Sequence, residues 1–335
     1  MMMYSRAQRS DWDAWNMPGW SADEMLPYLR KVISPFPPHP FSKCNEIQLE
    51  TYHSPSPGTT HGTNGPTQIS HGPFTATRPQ NDFITAAAKV GYPEYEDLQD
   101  LASKQGVQRA MRFISPDGKR QDTAHVYLHP LLSSGSHPHL NVLVETQVIR
   151  VLFNGEKRAV GVEIQANPKF RDGGNISVVR ARKMVIVSAG AMGSPLLLER
   201  SGVGDPEVLK RAGVPVVAEV KGVGKEFQDH HLLSYPYHTS LEPEETADAL
   251  TGGRMDVPEL LERKARILGW NAQDVTCKLR PSESEVENLG PEFKEAWERD
   301  FKNNLDKPLF LMALVNAYVP FLPPFPKTPN RINLT

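Results

Sequence analysis

The chain has 335 residues, of which 39% are apolar and 23% charged, and its formal net charge is −2. That length allows two domains with a substantial core, and the near-neutral balance gives no basic field for nucleic acid. No apolar run approaches the roughly 18 residues needed to span a bilayer, the first residues lack a signal peptide's apolar core, and two cysteines are too few for a disulfide framework or a metal cage.

In chain order, Ser21 is placed to cap a helix running to about Val32, with Asp23 and Glu24 complementing the dipole of its first turn. Trp12, Trp15 and Trp20 read as packing anchors. Ile33 to Leu49 is proline-rich and aperiodic, and a second proline cluster spans Pro320 to Pro329. Proline supplies no amide donor and clashes with a preceding helical turn, so neither cluster suits a helix or sheet interior. Asn81 to Val90 predicts a helix that Gly91 ends.

From Leu140 the pattern changes to short apolar runs, NVLVET, QVIRVLF, AVGVEIQ and NISVVRARK, with hairpin turns at Asn154-Gly155 and Asp172-Gly173-Gly174. Met184 to Val187 is apolar at every position, the pattern of a strand buried on both faces. Ser188, Gly190 and Gly193 then remove side-chain bulk where that strand ends, letting backbone approach a ligand. Ser194-Pro195 predicts the opening of a helix that stops at Ser201-Gly202. Asp205 caps a second helix, with Pro206 in its first turn, Lys210-Arg211 at its end and Gly213 beyond it. Pro215 to Val220 predicts a strand. On spacing alone this stretch is either an ordinary α/β unit or a cofactor site.

Further on, Asp256 caps an amphipathic helix from Pro258 to Leu268. Pro291 to Lys302 is another, with Phe293, Trp297 and Phe301 on one core-facing stripe. Leu309 to Val319 suits a buried strand. The histidines His53, His61, His71, His125, His129 and His230-His231 show no zinc spacing, no GxSxG elbow is present, and Asp122 and Asp229 read as lone carboxylates.

Several of these stretches resemble the glucose-methanol-choline (GMC) family of FAD-dependent oxidoreductases. Gly190 to Gly204, GAMGSPLLLERSGVG, is similar to the family's second signature, and GVGKEFQDHH to the segment just downstream. Tyr4 to Lys31 resembles the segment after the family's flavin-contacting glycine loop, and His61 to Pro66, HGTNGP, the start of its substrate-domain strand. Gly118 to Leu132, KLRPSESEV and DKPLF resemble the alcohol oxidase branch.

The resemblance implies a mixed α/β fold: part of an FAD-binding Rossmann-type domain with a β-meander, plus part of a substrate domain with an antiparallel sheet and helices. It divides the chain into 1–60 (FAD-domain and lid region), 61–137 (start of the substrate domain), 138–232 (FAD-binding portion) and 233–335 (substrate-binding portion). It implies FAD as cofactor and a small-molecule alcohol as substrate, with oxygen as acceptor. No nucleic-acid or membrane partner is expected, a homo-oligomer is possible in the full-length family, and the compartment is intracellular, cytoplasmic or peroxisomal.

By the same resemblance, Val148 corresponds to the valine whose backbone meets the adenine end of FAD. Ser188, Ala189 and Gly190 line the adenosine side, and Asp229 and His230 match the family's AspHis pair near the flavin. Asp229 and His230 also suit a plain capping-and-turn pair. Glu226 departs from the family's usual asparagine. The GxGxxG loop that would hold the pyrophosphate does not occur, because Gly202-Val203-Gly204 and Gly222-Val223-Gly224 each lack the third glycine at the right offset. The family's C-terminal catalytic histidine matches nothing here, so no catalytic residue is assigned and the chain is expected to be truncated and inactive. Residues 33–49 interrupt the family pattern, as translated intron, surface loop or polyproline docking segment. The alternative function is a non-catalytic remnant or interaction protein.

Overall fold

A computed structural model describes residues 2–35, 60–61, 66–101, 105–170, 174–318 and 331–334. Residues 36–49 of the proline-rich stretch 33–49, and the whole of the cluster 320–329, lie outside the described residues. The strands are β1 (Ile33–Pro35), β2 (Thr67–Ile69), β3 (Gly106–Arg109), β4 (Thr146–Phe153), β5 (Ala159–Ala166), β6 (Ser177–Arg180), β7 (Val203–Gly204), β8 (Ala218–Glu219), β9 (Tyr235–His238), β10 (Gln273–Leu279), β11 (Phe310–Val315) and β12 (Arg331–Leu334). They fall in two compact units, 1–136 with 232–335, and 137–231.

The first unit is built on an antiparallel sheet of order β3-β10-β11-β12-β9. β10 lies between β3 and β11 and is buried along its whole length. The helix Thr77–Lys89 lays Ile84 into a core with Val107, Val275, Cys277, Leu279 and Leu314. It begins four residues before the predicted Asn81. Pro79 sits in its first turn, where the missing amide hydrogen would have had no intrahelical partner.

Capping chemistry fixes several other elements. Ser21 and Glu24 form a reciprocal box at the start of Ala22–Val32, and the Ser21 hydrogen bonds hold the Glu24 carboxyl below its usual range. Asp256 accepts from the Glu259 amide at 3.1 Å, but its helix spans only Val257–Glu262. Lys264 takes φ +51° and a 3₁₀ turn, Arg266–Gly269, follows, so the predicted single helix is two pieces. Ser282 forms a second box with Glu285, and Ser282→Ala is expected to lower stability by about 1 kcal/mol in urea unfolding. Phe293, Trp297 and Phe301 stack at 6.5 and 5.6 Å, with the Arg280 guanidinium 4.5 Å over Trp297. Of the three early tryptophans, Trp15 and Trp20 are not packing anchors. They pair at 6.2 Å on the surface, carried by a turn with Asn16 at φ +47° and Gly19 at φ +86°.

In the second unit, β4, β5 and β6 form the predicted meander, antiparallel in chain order. The first hairpin turns where Asn154 Oδ1 accepts from the amides of Glu156 and Arg158. Lys157, rather than Gly155, takes the left-handed φ of +59°. β7 and β8 form a two-residue parallel ladder. Two predicted strands are not formed: 141–145 is irregular up to Glu145 at φ +54°, and 184–187 belongs to no ladder. An apolar run becomes a strand only when neighbours complete its hydrogen bonds, and the described residues of this unit supply none.

Candidate functional site

The six residues singled out by resemblance all lie in 137–231. Val148 is on β4, opposite Ile164 of β5, and is 37% exposed. Ser188, Ala189 and Gly190 lead into the helix Gly190–Arg200, which starts earlier than the predicted Ser194-Pro195 opening. Pro195 therefore stands inside the helix. Ser194 turns its hydroxyl back to accept from the Ala189 amide at 3.0 Å, so it fastens the entry of the helix instead of capping a later one. At the far end, Ser201 Oγ donates to the Leu197 carbonyl at 2.6 Å and accepts from the Val151 amide at 2.8 Å, tying helix to β4.

Gly190 has φ +81°, and a Cβ placed there would meet nothing within 4 Å. The backbone here is bare and open at a helix start, so a ligand could reach the first-turn amides without a side chain intervening. Gly202, by contrast, is needed by the fold. A Cβ there would come 2.5 Å from the Pro215 carbonyl oxygen, so this glycine serves the crossing to β8 rather than a phosphate. The second helix, Pro206–Arg211, forms as predicted, with Asp205 accepting from the Glu207 amide at 3.0 Å. Asp229 Oδ1 accepts from the His230 amide at 2.8 Å, and both residues are exposed. No hydrogen bond joins this pair to Val148 or to Ser188–Gly190 among the described residues.

Other polar centres carry no pattern in the sequence. Asp122 is not a lone carboxylate: both its oxygens lie 2.9 Å from His125 Nδ1, at the head of a π-helical turn, Ala124–Leu128. The amide and ring hydrogen bonds of His125 hold that carboxyl below its usual range. In the first unit His61 Nε2 lies 2.7 Å from Asp97 Oδ2, and Tyr4 Oη 3.4 Å from His61 Nδ1. Burial, reinforced by Asp97 and opposed by Arg6, raises the Tyr4 phenol well above its usual range. Lys278 Nζ donates to the Arg6 carbonyl at 3.2 Å.

Deepest in the same unit, Arg112 and Asp274 form an ion pair whose side chains are 1% and 0% exposed. Asp274 also accepts from Trp270 Nε1 at 2.9 Å, Asn316 Nδ2 at 2.8 Å and the Ala76 amide at 3.1 Å. Burial pushes its carboxyl upward, and Arg112 with these donors pulls it back. The one sequence signal for this centre is a charged residue at an inward position of the apolar run Ala110 to Phe113. Among the described residues, no group of three histidine, cysteine, aspartate or glutamate side chains is placed to hold a metal ion, and no helix is long and apolar enough to cross a membrane.

A family profile described as GMC oxidoreductase matches residues 1–232. Alcohol oxidase of Candida boidinii is 32% identical over 324 residues, 95% of this chain and 46% of that protein. Alcohol oxidase of Pichia angusta is 30% identical over 322 residues with the same coverage. Among solved structures, a formate oxidase variant of Aspergillus oryzae, described for its FAD modification, superposes with a TM-score of 0.78 at 20% identity, covering 99% of this chain and 56% of that one. The chain thus spans about half the length of the curated relatives it matches.

Proposed function

The chain belongs to the GMC oxidoreductase family, and from that premise we propose that it is part of an FAD-dependent enzyme that oxidises the CH–OH group of an alcohol with oxygen as acceptor. The observation that carries this reading is the alignment with an alcohol oxidase along 95% of the chain. Bound FAD would supply the acceptor for hydride from the carbinol carbon. The residues here act by holding and orienting. Ser188, Ala189 and Gly190 would bring backbone against the adenosine, Val148 would flank the adenine, and Asp229 with His230 would stand toward the flavin. A place in fungal alcohol or secondary metabolism suits the reading.

Residues 1–335 contain no GxGxxG loop to hold the pyrophosphate, so this stretch by itself is proposed to bind FAD weakly and to leave alcohols unoxidised. The test is a fluorescence titration of the purified chain with FAD, followed by a peroxide assay with methanol, ethanol and benzyl alcohol. The expected outcome is sub-stoichiometric flavin, no peroxide, and about tenfold weaker binding in Gly190→Val, equivalent to about 1.4 kcal/mol. Stoichiometric flavin with peroxide would overturn the inactivity, and unchanged affinity in Gly190→Val would remove that residue from the cofactor side.

A further inference from the structure

In the first unit the π-helical turn Ala124–Leu128 runs straight into the helix His129–Ser133, and His129, at the junction, keeps helical angles of φ −60° and ψ −42°. Turns of this kind are rare and often stand at functional sites. His125 and His129 lie four residues apart on this continuous helical surface, the spacing that puts two side chains on one face. Both are exposed, with ring centroids 4.9 Å apart and planes at 70°. Asp122 accounts for the orientation of the first ring. Its Oδ1 accepts from the His125 amide at 2.9 Å, as a cap would, but Oδ1 and Oδ2 also both lie 2.9 Å from His125 Nδ1. A carboxylate only accepts, so the neutral ring carries its hydrogen on Nδ1 and its lone pair on Nε2, the nitrogen that Asp122 does not touch. The remaining charge at the site is Arg120, whose Nε is 3.4 Å from Asp122 Oδ2 and whose side chain is 59% exposed. No hydrogen bond among the described residues holds the His129 ring, so it is free to turn about χ2.

We propose that His125 and His129 are the two protein ligands of a site for a divalent transition-metal ion of the zinc and copper class, with Asp122 orienting His125 from outside the coordination sphere. Imidazole nitrogens select such ions over magnesium and calcium, which take oxygen ligands. A ligating histidine almost always gives its other N–H to a carboxylate or carbonyl, which fixes the tautomer and makes the ring a better donor, and Asp122 already does this for His125. Zinc–nitrogen bonds of about 2.0–2.1 Å in a tetrahedral site set the two nitrogens about 3.3 Å apart, which rings centred 4.9 Å apart reach by turning. Two imidazoles are fewer than the four ligands of a structural zinc cage, in keeping with the lack of a three-residue metal group among the described residues, so water completes the sphere. The ion would staple the π-helical turn to the helix that follows it. Nothing in this inference depends on flavin or on the activity proposed above.

The experiment titrates the full chain, stripped with EDTA and desalted, with zinc chloride in a calorimeter, with magnesium chloride as the control, and reads hydrogen exchange on the same samples. Zinc is expected to bind and to slow exchange of peptides within 124–133 by about tenfold, and magnesium to do neither. His125→Gln and His129→Gln are each expected to weaken that binding by at least about tenfold, and Asp122→Asn by about tenfold at unchanged stoichiometry. The pair His137→Gln with His139→Gln should leave it as in the parent. A second readout does not depend on affinity: the electron paramagnetic resonance spectrum of added copper(II) should show two imidazole nitrogens, and one in either single histidine variant. Both histidines are exposed, so urea midpoints of these variants are expected to match the parent. Zinc bound without slowing 124–133, binding that survives the double change His125→Gln with His129→Gln, or binding lost with His137 and His139 would each overturn the site and leave an adventitious ion only. Unchanged affinity in Asp122→Asn would overturn the orienting role of that carboxylate and reduce it to a cap.

Discussion

Replacing Arg112 with alanine is expected to destabilise the unit formed by 1–136 and 232–335 by about 3–5 kcal/mol in chemical unfolding, because it strands the Asp274 carboxylate without its counter-charge. The guanidinium does more than neutralise. Arg112 Nε donates to the Gln273 carbonyl at 2.8 Å, and Nη1 donates to the carbonyls of Phe74 and His71, so one side chain ties the segment after β2 to the start of β10. Asp274 extends the tie to Trp270 and, through Asn316, to the end of β11. Asp274→Ala is expected to lose a similar amount, since it leaves a buried guanidinium unpaired. The double change Arg112→Met with Asp274→Leu should recover much of the loss, as apolar replacement of both partners removes the desolvation penalty together with the pair. A loss below about 1 kcal/mol in either single variant would show that water reaches the pair and that it does not organise the unit.

That centre illustrates what the sequence did not disclose. Arg112 and Asp274 are 162 positions apart, and neither local propensity nor periodicity connects them. His61 and Asp97 are 36 apart and equally silent. Where the physics is local, the sequence discloses the structure. Asp205 and Asp256 cap the helices they precede, the meander turns at Asn154, and the Phe293, Trp297 and Phe301 stripe stacks as its spacing demanded. The errors share one cause. Met184 to Val187 and Asn141 to Val144 have strand composition without strand pairing, because a β-strand is a property of two segments, and composition describes only one. Ser194-Pro195 marks the wrong boundary for a related reason: a proline is compatible with a helix start and, where packing outweighs a cost of about 3 kcal/mol, with its second turn, so the dipeptide alone does not fix the boundary. For the candidate site, the small residues Ser188 to Gly190 were legible as a bare turn, and the open space at Gly190 is what the structure adds.

The second large effect concerns Lys278, buried in β10 with 2% exposure. Burial lowers its ammonium to about 8, against 10.5 for a free lysine. Asp97, Asp100 and Asp11 act in the opposite sense and Arg6 adds to the depression. A depression of that size corresponds to about 3 kcal/mol of stability forgone whenever the group must be charged. The sign follows from proton counting. Below pH 8 both folded and unfolded chains hold the proton, so the full penalty applies; between 8 and 10.5 the unfolded chain holds more protons than the folded one, so stability rises with pH; above 10.5 the penalty is gone. Lys278→Met keeps the stem, removes the charge and gives up only the 3.2 Å bond to the Arg6 carbonyl. It is expected to be more stable than the parent by about 1–3 kcal/mol at pH 7, with the difference shrinking through pH 8–10.5, as read from urea midpoints across that range. A pH-independent difference would mean that Lys278 is held charged by the three aspartates throughout. Its place in the sheet would then be that of a paired ion, and removing it should destabilise the fold instead.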